Sequence, residues 1–151
     1  MAASQKSSSP VVLGALGEQL GFHLAQASVI TTSAYNACVG EPLQLRKVEY
    51  SMLMLLRANA ALSPKQLAKA LALTAPNLTL LLDRLQERDL LVRERNPNDG
   101  RSQHVRLSAS GLKLIAKADK AAVDMKKHWQ SKLSAAESAM LIELLTKVYQ
   151  D

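Results

Sequence analysis

The feature that most constrains this chain is a change of hydrophobic period at Leu90. Before it, apolar residues recur at steps of three and four; after it, Leu91-Val92-Arg93-Glu94-Arg95 and Gln103-His104-Val105-Arg106-Leu107 alternate in polarity. Between those two segments, Asn96-Pro97-Asn98-Asp99-Gly100-Arg101-Ser102 is dense in turn formers. The expected product is one antiparallel hairpin with a basic tip, set among helices.

Directly ahead of the hairpin stand two short helices. Ser63-Pro64-Lys65-Gln66 is a strong helix start: Ser63 can cap, Pro64 occupies a position where its missing N–H costs nothing, and Gln66 can reach back. That helix ends near Leu71, and Leu73-Thr74-Ala75-Pro76 restarts the chain with Thr74 as the expected cap. The next helix runs to about Arg88 and buries Leu78, Leu81, Leu82 and Leu85. Two helices joined by a three-residue turn make a helix-turn-helix, and a hairpin directly behind one makes a winged helix.

Further helices flank this unit. Leu13, Leu16, Leu20, Leu24, Ala27, Ile30 and Ala34 form a helical stripe over residues 11–39, with Gly40 placed to end it. A second helix fits residues 45–58, with Val48, Met52, Leu55 and Leu56 on one face. Ser108 opens a long helix to about Lys132. Ser134 and Glu137 form a second capping box before a last helix bearing Met140, Leu141, Leu144, Leu145 and Val148. The fold class expected is mainly α with a small β-hairpin wing, carrying N- and C-terminal dimerisation helices. The terminal stripes exceed what a central unit of roughly 50 residues covers, so they are assigned to a dimer interface; one monomeric bundle burying all of them is the alternative. The expected division is a disordered tail over 1–10, a helical dimerisation region over 11–44 and 109–151, and a winged helix-turn-helix over 45–108.

Composition narrows the function. Lys and Arg number 19 against 13 Asp and Glu, giving +6 and a pI near 9.6. This favours an anionic partner, nucleic acid first and an anionic membrane surface second. Residues 63–106 carry net +3 (8 basic, 5 acidic), with Arg93, Arg95, Arg101 and Arg106 gathered on the hairpin. No apolar run approaches the roughly 18 residues that span a bilayer, and the polar start has no apolar signal-peptide core. CxxC, HExxH and Gly-rich phosphate motifs are absent, and His23, His104 and His128 lie far apart. No metal, no cofactor and no enzymatic activity is expected. The single cysteine, Cys38, excludes a disulfide within the chain.

The residues at this point resemble the MarR family of bacterial transcriptional regulators. The match is carried by Leu82-Asp83-Arg84-Leu85, Leu90, Val92, Asn98-Asp99-Gly100-Arg101-Ser102, Val105-Arg106-Leu107-Ser108 and Gly111. The resemblance implies a cytoplasmic homodimer with intertwined terminal helices, nucleoid-associated when DNA-bound. Each subunit would offer one winged helix to a pseudo-palindromic operator. The helix from Thr74 would enter the major groove and the hairpin tip the flanking minor groove. A small ligand bound between the dimer and DNA-binding regions would release the repressor.

Physical chemistry assigns roles within that frame. Arg101, at the hairpin tip, suits a narrow minor groove, with Asp99 able to hold its guanidinium; Arg95, Asn98 and Ser102 accompany them. With Leu78 at the centre of the buried stripe, Pro76, Leu80, Asp83 and Glu87 fall opposite, with Asn77 and Arg84 on one flank and Thr79 on the other. Asn77 can read a base edge, adenine being its natural partner. Thr74 and Thr79 can bond phosphate or base, and Arg84 can neutralise phosphate. Leu80 stands where the family frequently has a basic residue; it either contacts a thymine methyl or leaves binding more dependent on the wing. Ser63, Lys65, Gln66 and Lys69 suit backbone contacts or, equally, capping and solvated surface. Asp89 replaces the glycine usual at its helix end.

For the effector, the resemblance points to the first helix, the second helix and the start of the fifth. The effector class expected is an aromatic carboxylate or its CoA thioester: Arg46 can pair with the acid, Tyr50 can stack, and His23 or Ser28 can bond a phenol oxygen. Each also reads as an ordinary interface or surface group. The Leu20-Gly21-Phe22 stretch resembles members that control aromatic-acid breakdown. Two other readings stay open: a repressor switched by oxidation of Cys38, and a helical adaptor or anionic-surface binder with no sequence readout.

Overall fold

The computed structural model describes residues 11–96 and 99–150, with the side chains of 96–102 and 128–130 outside that description. The N-terminal tail over 1–10 therefore lies outside the described residues. A 3-10 turn at Gly14–Glu18 leads to α1 (Leu20–Tyr35), which continues into a π turn at Asn36–Gly40. Then follow α2 (Lys47–Ala58), α3 (Pro64–Leu71), α4 (Ala75–Glu87), β1 (Leu91–Asn96), β2 (Asp99–Leu107), α5 (Ala109–Gln130) and α6 (Ala135–Tyr149). The helix, helix, helix-turn-helix, hairpin, helix, helix order is the one the sequence predicts.

The local chemistry explains most boundaries. Ser63 Oγ accepts the Gln66 N–H (3.3 Å), while Gln66 Oε1 accepts the Ser63 N–H (2.9 Å), so α3 opens on a reciprocal capping box. Ser134 and Glu137 do the same for α6, and this bonding to Ser134 holds the Glu137 carboxyl below its usual range. Ala72 takes the left-handed conformation (φ 52°) that turns the chain from α3 into α4. Asp89 does likewise at φ 53°; a short polar side chain tolerates that region better than most.

Four expectations are corrected. The single helix over 11–39 is broken: Gly14 has φ 54° and Gln19 is extended, because Gly14 and Gly17 weaken helix propensity there. The buried face of α2 is Glu49, Met52, Leu53 and Leu56, rotated by about one residue from the face expected, with Val48 and Leu55 only partly buried. Thr74 occupies the N-cap of α4 but makes no side-chain cap hydrogen bond. The long turn expected over 96–102 is mostly strand, since β2 begins at Asp99.

One core joins the pieces. Leu67 of α3, Leu78, Leu81, Leu82 and Leu85 of α4, Leu91, Val105 and Leu107 of the hairpin, and Ile115 and Ala118 of α5 pack with Met52, Leu53 and Leu56 of α2. Leu62 pairs with Val105 in both directions (N–H to O, 3.0 and 2.8 Å), adding a one-residue third strand that ties the entrance of α3 to the wing. The terminal stripes do not join this core. Leu13, Leu16, Leu20, Leu24 and Ile30 are exposed, as are Met140, Leu141, Leu144 and Val148. The single chain therefore does not form the closed bundle that was the alternative. Among the described residues no helix is long and apolar enough to cross a membrane.

Candidate nucleic-acid interface

The interface is built on α4. Its inward stripe fills the core, so the opposite side is left to solvent by geometry. Pro76, Asn77, Thr79, Leu80 and Arg84 are all exposed, and Leu80 keeps 69% of its surface. An apolar side chain this open on a helix anchored by its buried leucine stripe has no packing role within the chain. Arg46, Val48, Leu73, Asn77, Leu80, Leu81 and Arg84 line a cleft of about 380 Å³, with guanidinium groups beside an apolar floor.

The polar groups on this face are not all equally available. Thr79 Oγ1 donates to the Ala75 carbonyl (3.0 Å), so its proton is used within the helix and only its acceptor capacity faces outward. Asp83 is half-buried and pairs with Arg93, which also bonds Gln86. Arg84 is exposed yet stands 3.6 Å from the buried Glu49 carboxylate. On α3, Lys65, Gln66 and Lys69 are exposed, and Ser63 and Gln66 are engaged as caps.

The hairpin sorts its arginines by strand face. Leu91 pairs with Leu107 and Arg93 with Val105, so Arg93 shares the core-facing side and turns back onto α4. Glu94 and Arg106 share the other face and form a bidentate pair (Nε to Oε2 2.9 Å), which holds the Glu94 carboxyl below its usual range. Two of the four hairpin arginines are thus engaged within the chain. Arg95 is exposed. Asp99, Arg101 and Ser102 belong to β2, but their side chains lie outside the described residues, as does Asn98 entirely.

The effector candidates are dispersed. His23 is exposed, donating from Nε2 to the Gly17 carbonyl (2.8 Å) and meeting Phe22 edge-on. Ser28 lines a groove with Thr32, Ser33, Asn36 and Glu41. Arg46, at the N-cap of α2, faces the α4 cleft instead. Tyr50 is half-buried with its ring 5.6 Å from that of Tyr35; burial, then the Asp119 carboxylate, pushes its phenol above the usual range. Cys38 is half-buried in the π turn and packs against the core. Among the described residues no group of His, Cys, Asp and Glu is arranged to hold a metal.

Two contacts escaped sequence reasoning. Glu49 is 1% exposed, and the signal was present: it falls on the i, i+3, i+4, i+7 stripe with Met52, Leu53 and Leu56, and three residues after Arg46. The Arg57–Asp119 ion pair between α2 and α5 had no local signal.

This arrangement has known counterparts. The MarR family model matches residues 45–103, from before α2 into the second strand of the wing. The multiple antibiotic resistance protein MarR of Escherichia coli is 32% identical over 108 residues, covering 71% of this chain and 75% of that protein. A protein assigned as the transcriptional regulator of the hcr operon of Thauera aromatica is 26% identical over 140 residues, covering 93% of this chain and 84% of that protein. The transcriptional repressor CouR, solved on a 23-mer DNA duplex, superposes with a TM-score of 0.82 at 29% identity, covering 94% of this chain and all of that one. CouR has also been solved with p-coumaroyl-CoA, with a TM-score of 0.79 to this chain. With the same winged helix and a relative of this identity over most of its length, the chain belongs to the MarR family of transcriptional regulators.

Proposed function

We propose that this chain is a homodimeric, sequence-specific repressor that leaves its operator when a small aromatic ligand binds. The observation that carries the DNA-reading part is the exposed face of α4, on which Pro76, Asn77, Leu80 and Arg84 stand opposite a fully buried leucine stripe. That helix enters the major groove, where Asn77 pairs with a base edge and Leu80 lies against a thymine methyl. Thr74, Thr79, Arg84, Ser63, Lys65 and Gln66 meet phosphates, and Arg95, Asn98, Asp99, Arg101 and Ser102 take the wing to the minor groove. The DNA-bound state of CouR supports this docking.

Two apolar faces support the dimer. The stripes of α1 and α6 are exposed together, and Ala27, Ile30, Leu133, Leu141 and Ile142 line an apolar groove of about 460 Å³ between them. A second copy laid against these stripes removes them from water and sets the spacing of the two α4 helices. The division into a dimerisation region over 11–44 and 109–151 and a winged helix over 45–108 follows. A regulator of this kind works in the bacterial cytoplasm, on the nucleoid when bound.

For the ligand, the p-coumaroyl-CoA held by CouR is a chemical precedent. The class assigned here is an aromatic carboxylate or its CoA thioester, received near α1, α2 and the start of α5, where Tyr50 supplies a ring and a neutral phenol donor.

The test is a duplex selected by the protein from a random library. Binding to it should weaken steeply between 50 and 200 mM salt, and Arg101→Ala should weaken it further. Thermal-shift screening of aromatic acids and their thioesters should find a ligand that also releases the duplex. Equal affinity for selected and scrambled DNA, or tight binding to anionic vesicles, would favour the adaptor reading instead.

A further inference from the structure

A carboxylate stripped of water beneath a DNA-reading helix needs a reason. Glu49 lies on α2, with its side chain 2% exposed. Its Oε2 accepts the Arg46 backbone N–H (2.8 Å) and Nη1 of Arg88 (3.3 Å), while Oε1 faces Nη1 of Arg84 (3.6 Å). Arg84, in the last turn of α4, and Arg88, at its C-cap, are four residues apart, and their side chains remain 43% and 33% exposed. Gln44, Arg46, Glu49, Arg84 and Arg88 together line a groove of about 300 Å³.

Two like charges at i and i+4 repel each other. Without an anion beneath them, both guanidiniums would swing outward to any phosphate within reach, whatever the sequence. One buried carboxylate between them cancels one of the two charges and fixes where both side chains start. Arg84 also lines the cleft that holds Asn77 and Leu80, so its position bears directly on the face that reads bases.

We infer that Glu49 is a specificity-determining positioning residue: held on α2, it restrains Arg84 and Arg88 of the recognition helix and thereby suppresses sequence-independent attraction to DNA. This rests on the reading of α4 as the groove helix. Glu49 touches no DNA; it acts through the two arginines.

The experiment measures binding of the full-length protein to a duplex it selects from a random library and to a scrambled duplex of the same composition, across 50–200 mM salt. Glu49→Gln keeps the acceptor for the Arg46 N–H and removes the charge. It should lower the ratio of selected to scrambled affinity by about fivefold and steepen the salt dependence by about one counterion. Glu49→Asp, which keeps the charge but retracts it, should fall between wild type and Glu49→Gln, and it decides the matter if Glu49→Gln does not fold. In an Arg84→Gln/Arg88→Gln background, adding Glu49→Gln should change neither quantity. An unchanged ratio and slope in both Glu49 variants, or an equal fall in ratio in the arginine-free background, would overturn the assignment. Should the wild-type protein select no duplex at all, the groove-helix reading itself fails, and this assignment falls with it.

Discussion

Gly111, in the first turn of α5, approaches the Leu90 carbonyl so closely that a β-carbon would stand 2.0 Å from its oxygen. The same turn is held by Ser108, whose Oγ accepts the Gly111 N–H (2.9 Å) and donates to the Asp89 carbonyl. The end of α4, the start of the wing and the start of α5 are thus drawn to one point. The nearest atom belongs to backbone, so it cannot rotate away from a new methyl group. Gly111→Ala is expected to destabilise the fold by about 3 kcal/mol. At fixed protein concentration its Tm should drop by roughly 6–12 °C; a Tm equal to that of wild type would show that the crossing is looser than described.

Ser63 and Thr74 occupy equivalent N-cap positions but do different things. Ser63 accepts the Gln66 N–H, whereas Thr74 makes no cap bond. Ser63→Ala should therefore cost about 1 kcal/mol in denaturant unfolding. Thr74→Ala should cost little stability, since its hydroxyl makes no cap bond, and on the proposed phosphate contact should weaken binding to a selected duplex. Equal stability losses in the two variants would contradict the difference in capping.

Arg93 and Arg95 sit two residues apart on one strand and are expected to part company in DNA binding. Arg93 is engaged with Asp83 and Gln86 of α4, while Arg95 is exposed toward the wing tip. Arg95→Ala should reduce the salt slope of DNA binding by about one. Arg93→Ala should leave that slope unchanged and lower stability instead. A slope change in Arg93→Ala alone would reverse the assignment.

Tyr35 is buried at the end of α1 and its hydroxyl donates to the Leu45 carbonyl (2.8 Å). Burial first, then the neighbouring Tyr50 and Glu49, push its phenol up to about 12. The folded value lies above the unfolded one near 10, so the stability this group contributes is complete below about pH 10 and is lost as pH rises toward 12. Tyr35→Phe should reduce that alkaline dependence, leaving the part due to Tyr50, and, by losing the hydrogen bond, cost about 1 kcal/mol at neutral pH. Denaturant unfolding at pH 7 and pH 11 reads both; an identical alkaline loss in the variant would rule Tyr35 out as its source.

How much of this was legible beforehand depends on the range of the signal. Both capping boxes, the leucine stripe of α4 and the change of period at Leu90 are local patterns, and each produced its element. The long helix over 11–39 failed because an apolar stripe reports a face and not the breaks that Gly14 and Gln19 introduce. The hairpin arginines read as a basic cluster, yet strand alternation sends Arg93 inward and pairs Arg106 with Glu94.

The sequence by itself determined the order of elements, the helix starts, the exposed face of α4 and the unsatisfied apolar stripes at both ends. All of these arise from interactions within about one helical turn or one strand pair, where spacing alone decides what meets. Only the tertiary structure decided that Glu49 is buried beneath Arg84 and Arg88, that Leu62 joins the wing, and that Arg57 meets Asp119 across 62 positions. Those contacts depend on how helices cross, which no local period records, and on electrostatics that take effect once burial removes water.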